Sequence, residues 1–573
     1  MYNAHIEKLS RQFLPEDFRI QTFNDLKPFY EQLLSFEINH VQDLVQWLKQ
    51  WSELQSVISE DICWRQIKMT CDTENKKLEE AFHFFCLEIE PLIKPFHDQL
   101  NRKLLSCKYL PELNSEEYMP FIRSVKNEVE LFREENVPLH AELNVLAQQY
   151  GTLTGKMTIE FQNKELTLQQ ASAFLSNPDR LLREEVFRKV AVRRQQDEKA
   201  LDDLMDQLIS IRHQVARNAG FDNYRDYKFR ELGRFDYTVN DCMQFHQSVK
   251  ECILPLVDAV FAEKKKVLGI PELKPWDTDA EPAGREPLKP FTDGSELLAK
   301  SIAVFDRLMP FLAQCLTKMK QLGHFDLDSR KGKAPGGYNC PLAETGAPFI
   351  FMNAAGTADD VVTMMHEGGH AIHSFLCHPL PLNAFKEYPM EMAELASMSM
   401  ELFSMEHWDV FYPGATELKR AQAEELERIL IIFPWIACID EFQHWMYTHP
   451  EHTAQERKEK WVSLHRSYQS KELNWQDMED YRTILWQKQL HLFEVPFYYI
   501  EYGIAQLGAI ALWMNFRKNP FGTLNSYLQA LSKGYTMDLK KLYQTAGIPF
   551  DMSRNRIQEL SDFTFERLTE LYQ

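Results

Sequence analysis

His366-Glu367-Gly368-Gly369-His370 is the feature that most constrains this chain. In an α-helix, at about 100° and 1.5 Å per residue, positions 366 and 370 fall about 40° apart and about 6 Å along the axis. Both imidazoles then leave one face and can reach one ion. The preceding residues supply a helix start, because Thr357 can N-cap and Asp360 stands where a capping box closes. The two glycines weaken such a helix by about 1 kcal/mol each on propensity, so packing has to hold it.

Glu367 sits about 60° round from His370, close enough to reach a water on the ion without being a ligand. That is the position of a general base. Imidazole and carboxylate suit zinc, and three protein ligands leave a fourth position for water. Glu367 could take that water's proton during attack on a peptide carbonyl and pass it to the leaving nitrogen.

The third ligand is not in the pentad. The pattern HExxHxxGxxH is excluded, because its glycine and last histidine positions hold His373 and Leu376. His373 shares the ligand face but is read as a packing residue, as are Cys377 and His378. A second predicted helix, residues 390 to 403 (MEMAELASMSMELF), offers Glu391, Glu394 and Glu401. Glu394 and Glu401 share a face, so one can bind metal while the other fixes a histidine; spacing does not rank them.

Apolar residues recur at three- and four-residue spacing over residues 28 to 58, 76 to 105 and 115 to 148, and again from Leu201 to a stop at Gly220. The architecture is therefore mainly α. Exceptions are an alternating stretch, residues 155 to 168, predicted as a hairpin turning near Asn163, and residues 347 to 353 (APFIFMN), a short strand. That strand is expected to lie beside the histidine helix and to offer its edge to an extended peptide. Gly336-Gly337-Tyr338 reads as a flexible substrate-contacting loop. The chain divides near residue 150, into an N-terminal helical region (1–150) and a catalytic region (151–573).

At 573 residues, with 84 acidic against 64 basic side chains and a formal charge of -20, the surface repels nucleic acid and anionic membranes. No apolar run is long enough to span a bilayer and the N-terminus has no secretory pattern, so a cytoplasmic location is expected. Ten cysteines without a CxxC pair read as reduced thiols, not as disulfides or a cysteine zinc knuckle. Residues 151 to 157 (GTLTGKM) imitate a phosphate loop but are one residue short and have Met where Ser or Thr should stand.

Across residues 330 to 510 the segments GKAPGGYNC, APFIFMNAAGT, HEGGHAIH, MEMAELASMSMELF, CIDEFQHWMYTHP and LHLFEVPFYYIEYG occur in an order that resembles the M3 metallopeptidases, among them the oligoendopeptidase F and Pz-peptidase-like oligopeptidases. The resemblance implies a multi-helix zincin-type fold enclosing a deep channel for short peptides, with one zinc per chain. It implies that His366, His370 and Glu394 are the metal ligands and Glu367 the base. It also implies that His491, Tyr498 and Tyr502 form the substrate-binding and oxyanion-donor region, with Tyr499 beside them. The expected activity is cleavage of internal bonds in short unfolded peptides. The runner-up is a metal- or peptide-binding protein of the same fold without turnover, and a third class is a helical scaffold with no metal.

Overall fold

The computed structural model describes all residues except 1–3, 5, 7, 9, 114 and 115. The chain forms two compact units. The first comprises Met1–Phe132, Leu288–Gln422 and Ala505–Phe550; the second comprises Arg133–Pro287, Ala423–Ile504 and Asp551–Gln573.

In the first unit, helices Phe23–Ser35, Val41–Cys71, Glu90–Ser106 and Met119–Leu131 bury Leu26, Leu33, Leu44, Trp47, Leu100 and Leu104 in one core. Leu382 and Phe385, from the segment between the two predicted catalytic helices, join it. The apolar block 28 to 58 is thus two helices, with a break at residues 36 to 40. Its linker residues Phe36 and Ile38 pack on the same core, so the apolar spacing runs on through a gap in the helix. His40 and Asp43 restart the backbone, the Asp43 carboxylate accepting from Asn39 N (2.9 Å) and His40 N (3.2 Å). Likewise the block 115 to 148 is two helices, Met119–Leu131 and Asn136–Gly155, and residue 150 falls inside the second.

The second unit is built from helices that include Asn136–Gly155, Glu198–Asn218 and Ala454–Tyr468, with Trp461 and Trp486 fully buried. Gly220 follows Glu198–Asn218 with φ +87°, and Phe221 N donates to Ala216 O, the left-handed stop expected there. Strands β1 (Thr158–Phe161) and β2 (Lys164–Thr167) pair antiparallel around Gln162 and Asn163 at φ 50° and 60°. This is the predicted hairpin, closed by a two-residue turn of the type whose twist matches the strands. The imitation phosphate loop begins in the last turn of helix Asn136–Gly155.

Returning to the first unit, β3 (Phe325–Asp328), β4 (Tyr338–Cys340) and β5 (Phe349–Ala354) form a sheet in the order β3-β5-β4. β5 is the predicted strand 347 to 353, but it is the centre of the sheet, parallel to β3 and antiparallel to β4. Both its hydrogen-bonding sides are used, which corrects the expectation that it offers an edge to a peptide. The edge nearest the histidines is β4, whose Asn339 Nδ2 donates to Glu367 O at 3.2 Å. The architecture is otherwise as expected, mainly helical with a small sheet beside the pentad. Among the described residues no helix is long and apolar enough to cross a membrane.

Candidate metal centre

The histidine helix, Ala358–Cys377, starts immediately after β5 through Gly356 (φ +88°) and Thr357. The capping box is present: Thr357 Oγ1 accepts from Asp360 N (3.3 Å) and Asp360 Oδ2 accepts from Thr357 N (2.8 Å). Nine residues later His366 appears, with its ring centroid 4.9 Å from that of His370.

Packing supplies what glycine propensity lacks. A Cβ on Gly369 would lie 2.6 Å from Ala396 O and from Ser397 Cα, on the second helix, Met390–Met405. A Cβ on Gly368 would lie 2.6 Å from Phe305 Cζ, on the helix Gly294–Leu308 behind it. Only glycine permits the two backbones to approach this closely. The approach brings the glutamates to the histidines.

Glu394 Oε2 lies 3.4 Å from His366 Nε2 and 3.9 Å from His370 Nε2, and the ligand atoms of these three residues all fall within 4.8 Å of one another. Glu401, two turns on, takes the other side of His366, with Oε1 2.6 Å from Nδ1. Glu391, the remaining candidate, stands outside this converging set. The two glutamates on one face therefore divide the two tasks left open by spacing alone.

Burial disfavours the charged form of His366, but the Glu401 hydrogen bond and the nearby carboxylates outweigh it and hold the imidazole's pKa up to about 9. Burial pushes Glu367 up to about 7, against the pull of His366 and with the help of Glu394 and Glu401. His370 is held well below its usual range by burial and by His366. Three buried carboxylates and two half-buried imidazoles thus share one site, in which Glu401 favours the charged form of His366. Glu367 Oε2 is buried without a hydrogen-bond partner among the described residues. A divalent cation fits this donor set: two imidazole nitrogens and one carboxylate oxygen converge, and one histidine is oriented from behind.

His373 does not join the set. It is fully buried and stacks on Tyr388, with centroids 3.5 Å apart and planes at 12°. Cys377 Sγ donates to Leu531 O at 3.2 Å.

The other expected residues lie together in the second unit. His491 packs against Tyr499 (4.9 Å), Tyr502 (5.8 Å) and Tyr498 (5.9 Å), and its Nε2 is 3.4 Å from the Tyr502 hydroxyl. Two further residues escaped sequence reasoning. Trp435 Nε1 can only donate, and it does so to Gln489 Oε1 at 2.9 Å. The Gln489 amide nitrogen therefore faces His491 Nδ1, at 2.7 Å, and makes that atom an acceptor. Burial lowers the His491 pKa to about 4, so the ring is neutral and its proton resides on Nε2, facing Tyr502. Gln489 lies two residues before His491, but nothing local marks Trp435. Phe497, just before the tyrosines, has φ 67° and is held by Gln443 Oε1, which accepts from its N at 2.6 Å.

The profile of Peptidase family M3 matches residues 173–561, and that of the Peptidase M3 N-terminal domain matches residues 13–132. An oligoendopeptidase F homolog of Borreliella burgdorferi is 20% identical over 560 residues, covering 92% of this chain and 91% of that protein. An oligoendopeptidase F homolog of Lactococcus lactis subsp. lactis is 26% identical over 183 residues, which is 32% of this chain and only 28% of that protein. The solved structure described as PZ peptidase A with inhibitor 2 superposes with a TM-score of 0.90 at 26% identity, covering 97% of this chain and 99% of the other.

Proposed function

The chain belongs to peptidase family M3, and from that premise we propose that it is a zinc-dependent endopeptidase that hydrolyses internal bonds of short oligopeptides. The observation that carries the proposal is the convergence of His366, His370 and Glu394 beside a buried, partnerless Glu367 oxygen. A zinc ion held by the three ligands would supply Lewis acidity toward water and the scissile carbonyl.

The rest of the chemistry is assigned to the chain. Glu367 takes a proton from the attacking water and delivers it to the leaving nitrogen, and a carboxyl pushed up to about 7 can carry a proton both ways near neutral pH. Glu401 accepts from His366 Nδ1, so the proton on Nε2 is the one a bound metal would displace, which would turn that nitrogen's lone pair toward Glu394 and His370. β4, an edge of its three-stranded sheet, would take an extended peptide as an added strand, with loose side-chain selection. The link from Asn339 to Glu367 O would fix that strand's register relative to the base.

His491 and Tyr502, with Tyr498 and Tyr499 around them, are proposed from the family resemblance as donors to the oxyanion. What supports this within their own unit is the chain Trp435, Gln489, His491, which sets one tautomer and turns the His491 Nε2 proton toward the Tyr502 hydroxyl oxygen.

A mixed library of short peptides, incubated with the protein and read by mass spectrometry, tests the reading. Internal cuts that stop on chelation and return with zinc are expected. An untouched library, or removal of terminal residues only, would contradict it.

A further inference from the structure

We propose that the second compact unit holds a structural zinc ion, bound between Cys242 and His246 on one helix and Asp440 and His444 on another. The first pair lies on helix Val239–Ser248 and the second on Ala415–Thr448. Each pair is spaced i and i+4, so each helix presents two ligands from one face. This is independent of the peptidase reading, because none of these residues belongs to the site around Glu367.

Three of the four donors already converge, and the fourth meets them at Asp440. Ligand atoms of Cys242, Asp440 and His444 lie within 4.8 Å of one another. His246 Nε2 is 2.8 Å and His444 Nε2 3.1 Å from the same oxygen, Asp440 Oδ2. Bonds of about 2.0 to 2.3 Å in a tetrahedron place ligand atoms about 3.3 to 3.8 Å apart, so a bound ion would draw Cys242, Asp440 and His444 closer together and bring in His246, which meets the group through Asp440. Cysteine sulfur, two imidazoles and one carboxylate make up a donor set that zinc prefers, and with four protein ligands no position remains for substrate.

Burial and charge point the same way. Cys242 and Asp440 are 0% exposed, and His246 and His444 2%. The rings of Phe229 and Phe497 pack against His444 and that of Phe245 against His246. As hydrogen bonds alone, the cluster crowds both Nε2 atoms onto one oxygen and leaves Asp440 Oδ1 without a partner among the described residues. Leaving such a buried group unsatisfied costs about 1 to 3 kcal/mol or more. A dication with one thiolate, one carboxylate and two neutral imidazoles is electrically neutral as a unit. On binding, Cys242 gives up its thiol proton to solvent, and His246 and His444, whose Nε2–H groups here donate to Asp440, exchange that proton for one on Nδ1 so that both bind through Nε2 lone pairs.

The ion's place suggests its use. Gln443, between Asp440 and His444, accepts from Phe497 N, and the His444 ring lies 5.3 Å from the Phe497 ring. Phe497 is the residue at φ 67°, a conformation that persists only when its surroundings enforce it. Clamping the two helices would hold that turn, and with it Tyr498.

Replacing the bound metal of the full-length protein with cobalt(II) tests the proposal without any variant. The site around Glu367 has only nitrogen and oxygen donors, so a thiolate-to-cobalt charge-transfer band can come only from a cysteine ligand. We expect that band, together with two metal ions per chain by elemental analysis. Cys242→Ser should abolish the band and remove one ion, while His366→Ala should remove one ion and keep the band. A wild-type protein with no thiolate band, or a band that survives Cys242→Ser, would overturn the proposal. Failure of the Glu367 site would show instead as an intact band with one ion per chain, so the two readings fail separately.

Discussion

His366 Nδ1 and Glu401 Oε1 lie 2.6 Å apart, on two helices whose backbones approach closely only because residue 369 has no side chain. The hydrogen bond fixes which ring nitrogen faces Glu394. Replacing Glu401 with Ala should lower zinc affinity by about 10- to 100-fold while leaving the ligands in place. Competition with a chromophoric chelator measures it. Unchanged affinity would reduce Glu401 to a packing role.

Glu394→Gln should weaken zinc binding far more than Glu391→Gln, since only Glu394 converges with the histidines. The same chelator competition ranks them. Full metal retention by Glu394→Gln with loss in Glu391→Gln would overturn the ligand assignment.

Gly369→Ala would drive a methyl group into Ala396 O and Ser397 Cα, both backbone atoms that cannot turn aside. Overpacking of this kind costs about 1 to 3 kcal/mol. Denaturant unfolding should show that loss, and zinc affinity should fall with it, because the separation of the helices moves Glu394 from His366. A variant of unchanged stability would mean that the helices have room to spare.

Tyr502→Phe should lower kcat by about 100-fold or more with a modest change in KM, the signature of a donor that acts in the transition state. Gln489→Leu should move kcat in the same direction by a smaller factor, because it frees the His491 tautomer. Equal kcat in Tyr502→Phe and wild type would return the phenol to packing.

Much of this site was legible because its determinants are local. The i and i+4 histidines, the Thr357 and Asp360 cap and the shared face of Glu394 and Glu401 all follow from helical periodicity. What escaped depends on long-range contact. Phe36 and Ile38 kept an apolar rhythm through a break because they pack on the core of the helices they join. The strand at residues 347 to 353 read correctly as a strand, but no local signal says that β3 and β4 flank it. Trp435 reaches Gln489 across 54 positions, and the Cys242 and His246 pair meets Asp440 and His444 across almost 200, so neither spacing has a period to detect.

Stability should depend on pH through histidines that the fold keeps neutral. Burial lowers His465 to about 3 and His491 to about 4, whereas in the unfolded chain both protonate near about 6.5. Between about pH 6.5 and 4 the unfolded state binds more protons, so stability falls as pH falls, by up to about 1.4 kcal/mol per pH unit for each group. Urea midpoints at pH 7, 6 and 5 measure the slope. His465→Gln should flatten it, and an unchanged slope would remove His465 from the account.

The central claim is that Glu367 is the base of a metal-dependent peptidase. Its most direct test is the hydrolysis of a quenched fluorescent peptide by wild type and Glu367→Gln, with zinc measured in the same samples. The account predicts equal zinc in both proteins, cleavage by the wild type, and a loss of at least about 1,000-fold in the variant. Wild-type turnover by a zinc-loaded Glu367→Gln protein would contradict it.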